Sequence, residues 1–137
     1  MTVTDETTGQ QLTESLLQGV GNEQMRAATR LLGAHRDGYW LRRLLRDEAT
    51  LSAAAGRSVI DRSARHPSVD WDTLGHLLLA RPGALKCSSS ELAVLEVAAS
   101  LVSCCPVQLG TVFRAVDSHE LGLILTVLEE AAYGETY

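Results

Sequence analysis

Apolar residues recur along this chain at intervals of three and four, broken by glycine, proline and capping residues, and that rhythm predicts helices throughout. Thr8 with Gln11 fits a capping box ahead of Leu12, Leu16 and Leu17, which share one face until "GVGN" stops the segment. Asn22 then stands as a cap before Met25, Ala28, Leu31 and Leu32, with Arg26 and Arg30 one turn apart, and "AHRDG" ends that segment. The two segments are expected to pack as antiparallel neighbours.

The third segment, "GYWLRRLLRDE", has the sharpest division. At about 100° per residue from Trp40, Leu44 falls near 40°, Leu41 near 100° and Leu45 near 140°, whereas Arg42, Arg46 and Arg43 fall between about 200° and 300°. Trp40, Leu41, Leu44 and Leu45 are therefore expected to seal against a core. The same spacing sets Arg42, Arg43 and Arg46 outside, facing solvent, acidic neighbours or a partner.

From Ala49 to His66 the periodicity fades and irregular chain is expected, with "TLSAAAG" able to form a short helix closed by Gly56. Order returns after Pro67, where Ser68 can cap and Asp70 and Asp72 fall in a first turn. Trp71, Leu74, Leu77, Leu78 and Leu79 then wrap most of a helix, which predicts burial on several sides. Ser88 and Glu91 form a capping box ahead of "LAVLEVAASLV", expected to be the central helix. Pro106 suits a helix start before Leu109, Val112, Phe113 and Val116, and Asp117 with Glu120 opens a last helix striped by Leu121, Ile124, Leu125 and Leu128 and stopped at Gly134. No strand signal competes. The expectation is an all-α fold: a single compact bundle of about six helices over residues 10–137, behind a flexible polar tail of residues 1–9. Its firmest part is the trio Ser90 to Cys104, Pro106 to Val116 and Ser118 to Tyr133.

Composition agrees with a globular chain, at 45% apolar and 21% charged residues. No window approaches the ~18 to 20 apolar residues of a bilayer span, and the start lacks the basic and apolar segments of a secretory signal, so a cytoplasmic protein is expected, with no membrane partner. Cys87 stands alone and Cys104 and Cys105 are adjacent, a poor pair for bridging, which points to reduced thiols.

The chemical motifs are sparse. Paired metal donors at ligand spacing do not occur, since there is no Cys-x-x-Cys and no His-x-x-x-His. "DRSARH" gathers Asp61, Ser63 and His66, a mixture common in polar turns, while His66 with Asp70 and His76 with Asp72 read as surface pairs on a helix. Neither "LLQGVGNEQ" nor "AAAGRS" completes a phosphate loop. No enzyme activity, metal or cofactor is expected on these grounds.

Charge does change the picture. Residues 1–24 carry a net −4, residues 25–66 a net +5 and residues 67–137 a net −6, so a basic belt lies between acidic ends. Two readings follow for Arg26, Arg30, Arg42, Arg43 and Arg46. One makes them the docking surface of a non-enzymatic adaptor, inhibitor or accessory subunit that binds another protein, with Glu129 and Glu130 as a second acidic surface. The other makes the basic helix Gly38 to Glu48 a nucleic-acid contact, helped by a helix-turn-helix-like turn in "LSAAAGRSVIDR", although a pI near 5.3 opposes it. The plain reading is that acidic helices at the two ends satisfy these arginines within the domain. The near-complete apolar wraps of Trp71 to Leu79 and Leu92 to Val102 leave room for a homo-oligomer.

Overall fold

The computed structural model describes residues 6–103 and 105–135, and it is an all-α bundle. In order come α1 (Gly9–Leu17), α2 (Glu23–Ala34), a 3-10 turn (His35–Asp37), α3 (Tyr39–Arg46) and α4 (Glu48–Ala55). After them come α5 (Trp71–Ala80), α6 (Ser89–Val102), α7 (Leu109–Ala115) and α8 (Ser118–Tyr133). Two-residue strands, β1 (Ile60–Asp61) and β2 (Ser68–Val69), pair antiparallel between α4 and α5, Ile60 opposite Val69. No described helix is long and apolar enough to cross a membrane.

The helices start where their capping chemistry dictates. Reciprocal capping boxes join Thr8 to Gln11, Ser88 to Glu91 and Asp117 to Glu120, and Asn22 accepts from the Met25 amide. At α5 the cap is Asp70, which accepts from the Thr73 amide, while Ser68 belongs to β2. Thr8 thus caps α1 and Gly9 is its first residue, both within the stretch expected as a tail. Cys104 lies outside the described residues.

At the centre is α2, which packs against α1, α3, α6 and α8. It buries Ala27, Ala28, Leu31 and Leu32, while α6 adds Val94, Leu95, Val97 and Ala98 from the other side. The centre expected of α6 is therefore shared with α2. Small residues allow α1 to come close: a Cβ on Gly33 would lie 1.6 Å from Thr13 Oγ1, and one on Gly9 would lie 2.3 Å from the Gly33 carbonyl oxygen. Thr13 in turn donates to the Gly9 carbonyl at 2.7 Å.

Several expectations are corrected. Within the stretch expected as irregular, the short helix allowed for "TLSAAAG" does form, as α4 closed by Gly56 at φ 79°, but it is followed by β1 rather than by the second helix a helix-turn-helix requires. α7 begins at Leu109, three residues beyond Pro106, with Gln108 as an N-cap that makes no side-chain bond. On α5, Trp71, Leu74, Leu77 and Leu78 are buried as expected, but Leu79 faces out.

The larger correction concerns the last two helices. α8 turns Glu120, Ile124 and Val127 inward, leaving Leu125 and Leu128 at 50% and 40% exposure. α7 buries Val112 and leaves Leu109 and Phe113 at 58% and 53%. Half of each predicted stripe is therefore outside, so that α7 and α8 each carry exposed apolar side chains in addition to Leu79 of α5.

The close approach of α1 and α2 makes a direct prediction. Gly33→Ala is expected to lower unfolding stability by about 1 to 3 kcal/mol through overpacking. Gly122→Ala, on a helical site with nothing within 4 Å of the added methyl, is expected to raise it by about 0.5 to 1 kcal/mol. Urea unfolding of the two variants checks both signs.

Candidate functional site

The five candidate arginines do not form one surface. On α2, Arg26 donates from Nε to Glu135 at 2.5 Å and from Nη1 to the carbonyls of Leu17 and Val20, at 3.2 and 2.8 Å, which ties α2 to the turn that follows α1. Arg30, one turn on, donates from Nε to Glu130 at 2.8 Å and from Nη1 to Glu135. Glu135 therefore bridges the two. Glu130, expected as part of an exposed acidic surface, is half-buried in this pairing.

On α3 the three arginines part company. Arg42 folds back on the preceding turn, donating to the Asp37 carbonyl at 2.9 Å, to its carboxylate at 3.0 Å and to the Thr7 carbonyl. Arg43, expected outside, is buried: its guanidinium lies 5.2 Å from the centroid of the Trp40 ring and donates to the Lys86 carbonyl at 2.6 Å. Its direction on the helix, about 60° from that of Trp40, explains why it follows the indole into the core. Trp40, itself fully buried, donates from its indole to the Glu91 carbonyl at 2.8 Å. Arg46 stays open, with a 69% exposed side chain and a weak contact to the adjacent Asp47 at 3.3 Å.

The turn between α2 and α3 collects the polar contacts that periodicity does not reveal. His35 and Glu120, 85 residues apart and both almost fully buried, meet at 2.6 Å from Nε2 to Oε2, and Glu120 Oε1 also accepts from the Asp117 amide. Arg36 reaches α6, donating to Glu91 at 2.5 Å and to Ser90 Oγ at 3.2 Å. Asp37 accepts from the Gly9 amide at 2.8 Å. Glu120 was legible as a capping residue, but its partner His35 was not, because nothing in "AHRDG" distinguishes a buried imidazole from a helix stop.

Chemical groups elsewhere are scattered. Among the described residues no three His, Cys, Asp or Glu side chains cluster to hold a metal. Cys87 and Cys105 are free thiols that burial pushes above their usual range. Asp61 accepts from the amide and hydroxyl of Ser63 at 2.9 and 2.6 Å in an exposed turn. A cavity of about 210 Å³ beside α6 and α7 presents Glu96, whose carboxyl burial pushes up, against Pro106, Val107 and Val112. The larger cavity, about 610 Å³, is a groove among α1, α2 and α8 whose lining combines Leu17, Leu123 and Val127 with two arginines, Arg26 and Arg30, and four carboxylates, Glu14, Asp37, Glu130 and Glu135. Its size is in the range of small-ligand and peptide-anchor sites.

No protein-family model matches the chain, and neither a curated protein nor a solved structure matches it.

Two predictions come from these pairings. Arg43→Ala is expected to cost about 2 kcal/mol of stability, through a lost charged hydrogen bond and lost packing on Trp40, whereas Arg46→Ala should stay within about 0.5 kcal/mol. Tryptophan fluorescence in guanidinium titrations separates them. The second concerns pH: the hydrogen bond from Arg26, then that from Arg30, outweighs desolvation and holds the Glu135 carboxyl below the usual carboxylate range. Because the folded value is depressed, the contribution of this bridge is present above the unfolded glutamate range and is lost as pH falls through the depressed one. The stability gap between the native chain and Glu135→Gln, measured by thermal unfolding, should therefore close on acidification from pH 7 to pH 3.

Proposed function

We propose that this chain is a non-enzymatic cytoplasmic protein that acts by binding another protein, and that it does so through the outer face of α7 and α8. The observation that carries this reading is the pairing of two facts. Four of the five candidate arginines are engaged within the chain, and Leu109, Phe113, Leu125 and Leu128 stand 40% to 58% exposed on two consecutive helices that both pack against α6. Apolar side chains of this size at helical spacing favour association when they share a face, because burying them removes apolar area from water. α8 is apolar on both sides. One side packs on α2 and the other supplies the docking face.

The same pairing weighs against nucleic-acid recognition through these four arginines. Phosphate contacts need accessible cations, and Arg26, Arg30, Arg42 and Arg43 already meet carboxylates, backbone carbonyls or an aromatic ring. Scattered titratable groups likewise give an enzyme little to work with.

The test places a photo-crosslinking phenylalanine analogue at position 113, at 125 or, as a control, at 46, in the intact chain inside its native cells. Discrete crosslinked species from 113 and 125, lost when Leu128→Glu is added, are expected, with none from 46. Equal labelling from all three positions, or labelling from 46 alone, contradicts the reading.

A further inference from the structure

One carboxylate of the bundle stands apart from the rest. Among the described residues every other partly buried carboxylate is served: arginines meet Asp47, Glu48, Glu91 and Glu130, His35 meets Glu120, and the remaining two accept hydrogen bonds within their own turns. Glu96, half-buried in the middle of α6, makes no hydrogen bond or ion pair with a described residue. Burial alone pushes its carboxyl upward, with no cation to oppose the shift. Its charge reaches the neighbourhood unscreened: after burial, the Glu96 carboxylate is the second cause that raises the Cys105 thiol. A carboxylate taken partly out of water without a counter-charge is a standing cost, and a cation that met it would recover that cost.

The cavity in front of Glu96 narrows the class of cation. Pro106, Val107 and Val112 give it apolar walls, Gln108 and Thr111 add uncharged polar groups, and no basic residue lines it. At about 210 Å³ it lies below the range of roughly 300 to 1,000 Å³ that whole small ligands occupy, so it has room for a single long side chain. An arginine suits all three features: its stem packs on apolar walls, its guanidinium sheds water more readily than an ammonium, and its several N–H groups reach a carboxylate and neighbouring acceptors together. The arginine of α7 itself does not serve, because Arg114 lies along Gly110 and not among the lining residues. Val112, on the cavity wall, is about 60° around α7 from Leu109 and about 100° from Phe113, both exposed. A segment lying on those two side chains is thus within one side chain's reach of Glu96.

We infer that the cavity between α6 and α7 is an anchor site for an arginine of the partner protein, with Glu96 as the counter-charge and Leu109 and Phe113 receiving the apolar residues beside that arginine. The inference rests on the protein-binding reading above and names the chemistry of the partner segment: apolar, with one basic side chain directed inward.

The test is an amide NMR titration of the full chain with acetyl-Leu-Arg-Leu-amide, set against the citrulline peptide, which keeps the shape of the arginine without its charge, and the lysine peptide. Saturable shifts centred on Gln108, Thr111 and Val112 are expected from the arginine peptide, with roughly fivefold or greater weakening for the citrulline peptide, for Glu96→Gln and for the lysine peptide. Because burial opposes the charge at this position, Glu96→Gln is expected to fold at least as firmly as the native chain, and the citrulline comparison needs no variant. Equal binding of the arginine and citrulline peptides, an affinity unchanged by Glu96→Gln, or shifts centred elsewhere overturns the inference, and lysine binding as tightly overturns the assignment to arginine. The crosslinks at 113 and 125 test the docking face by themselves, so failure there and failure here are told apart.

Discussion

The bundle depends on a left-handed turn. Arg36, Asp37 and Gly38 have φ values of 48°, 53° and 80°, three successive positive values that reverse the chain between α2 and α3. For a residue with a side chain this region costs about 1 to 2 kcal/mol, so two such residues must be held by their surroundings. Each is. Asp37 takes the first free amide of α1, that of Gly9, and Arg36 binds Glu91 at the start of α6. Just before them, His35 meets Glu120 in the first turn of α8, and just after them Arg42 of α3 donates to the Asp37 carbonyl. One short turn thereby ties four helices to the end of the helix around which all of them pack.

This arrangement gives the uneven charge of the chain a structural meaning. The positive middle supplies Arg26, Arg30 and Arg36, and the negative carboxy-terminal half supplies Glu91, Glu130 and Glu135 to meet them. Exposed pairs of this kind each contribute little to stability, yet they discriminate between ways of docking the helices, because a misplaced helix leaves like charges opposed. Most of the named arginines in the belt that looked like a binding surface are engaged within the chain.

Much of the fold was legible in the residues. The capping boxes at Thr8, Ser88 and Asp117 start their helices as read, and the Trp40, Leu41 and Leu44 face is buried as its spacing requires. What was not legible has identifiable causes. In α8, Leu121, Leu125 and Leu128 compete with Ile124 and Val127 for the inward position, and a helix apolar on two sides does not announce which one meets α2. α4 buries only Leu51 and Ala55, so "TLSAAAG" allowed a short helix closed by Gly56 without the apolar stripe that would decide between it and irregular chain. Arg43 sits at the border between faces, where the long aliphatic stem of arginine allows either outcome. The candidate sites needed contacts between residues far apart in sequence, such as Arg26 with Glu135, which no local pattern encodes.

The most direct test of this account is native-state hydrogen exchange, read at the Gly9 amide and the Trp40 indole. Both protons are held by partners far away in the chain, Asp37 and the Glu91 carbonyl. If the left-handed turn is the point on which the bundle is fixed, both should exchange only through global unfolding, with the free energy and denaturant dependence of the whole chain. Exchange of either proton by a local opening, well below the global free energy and independent of denaturant, would contradict it.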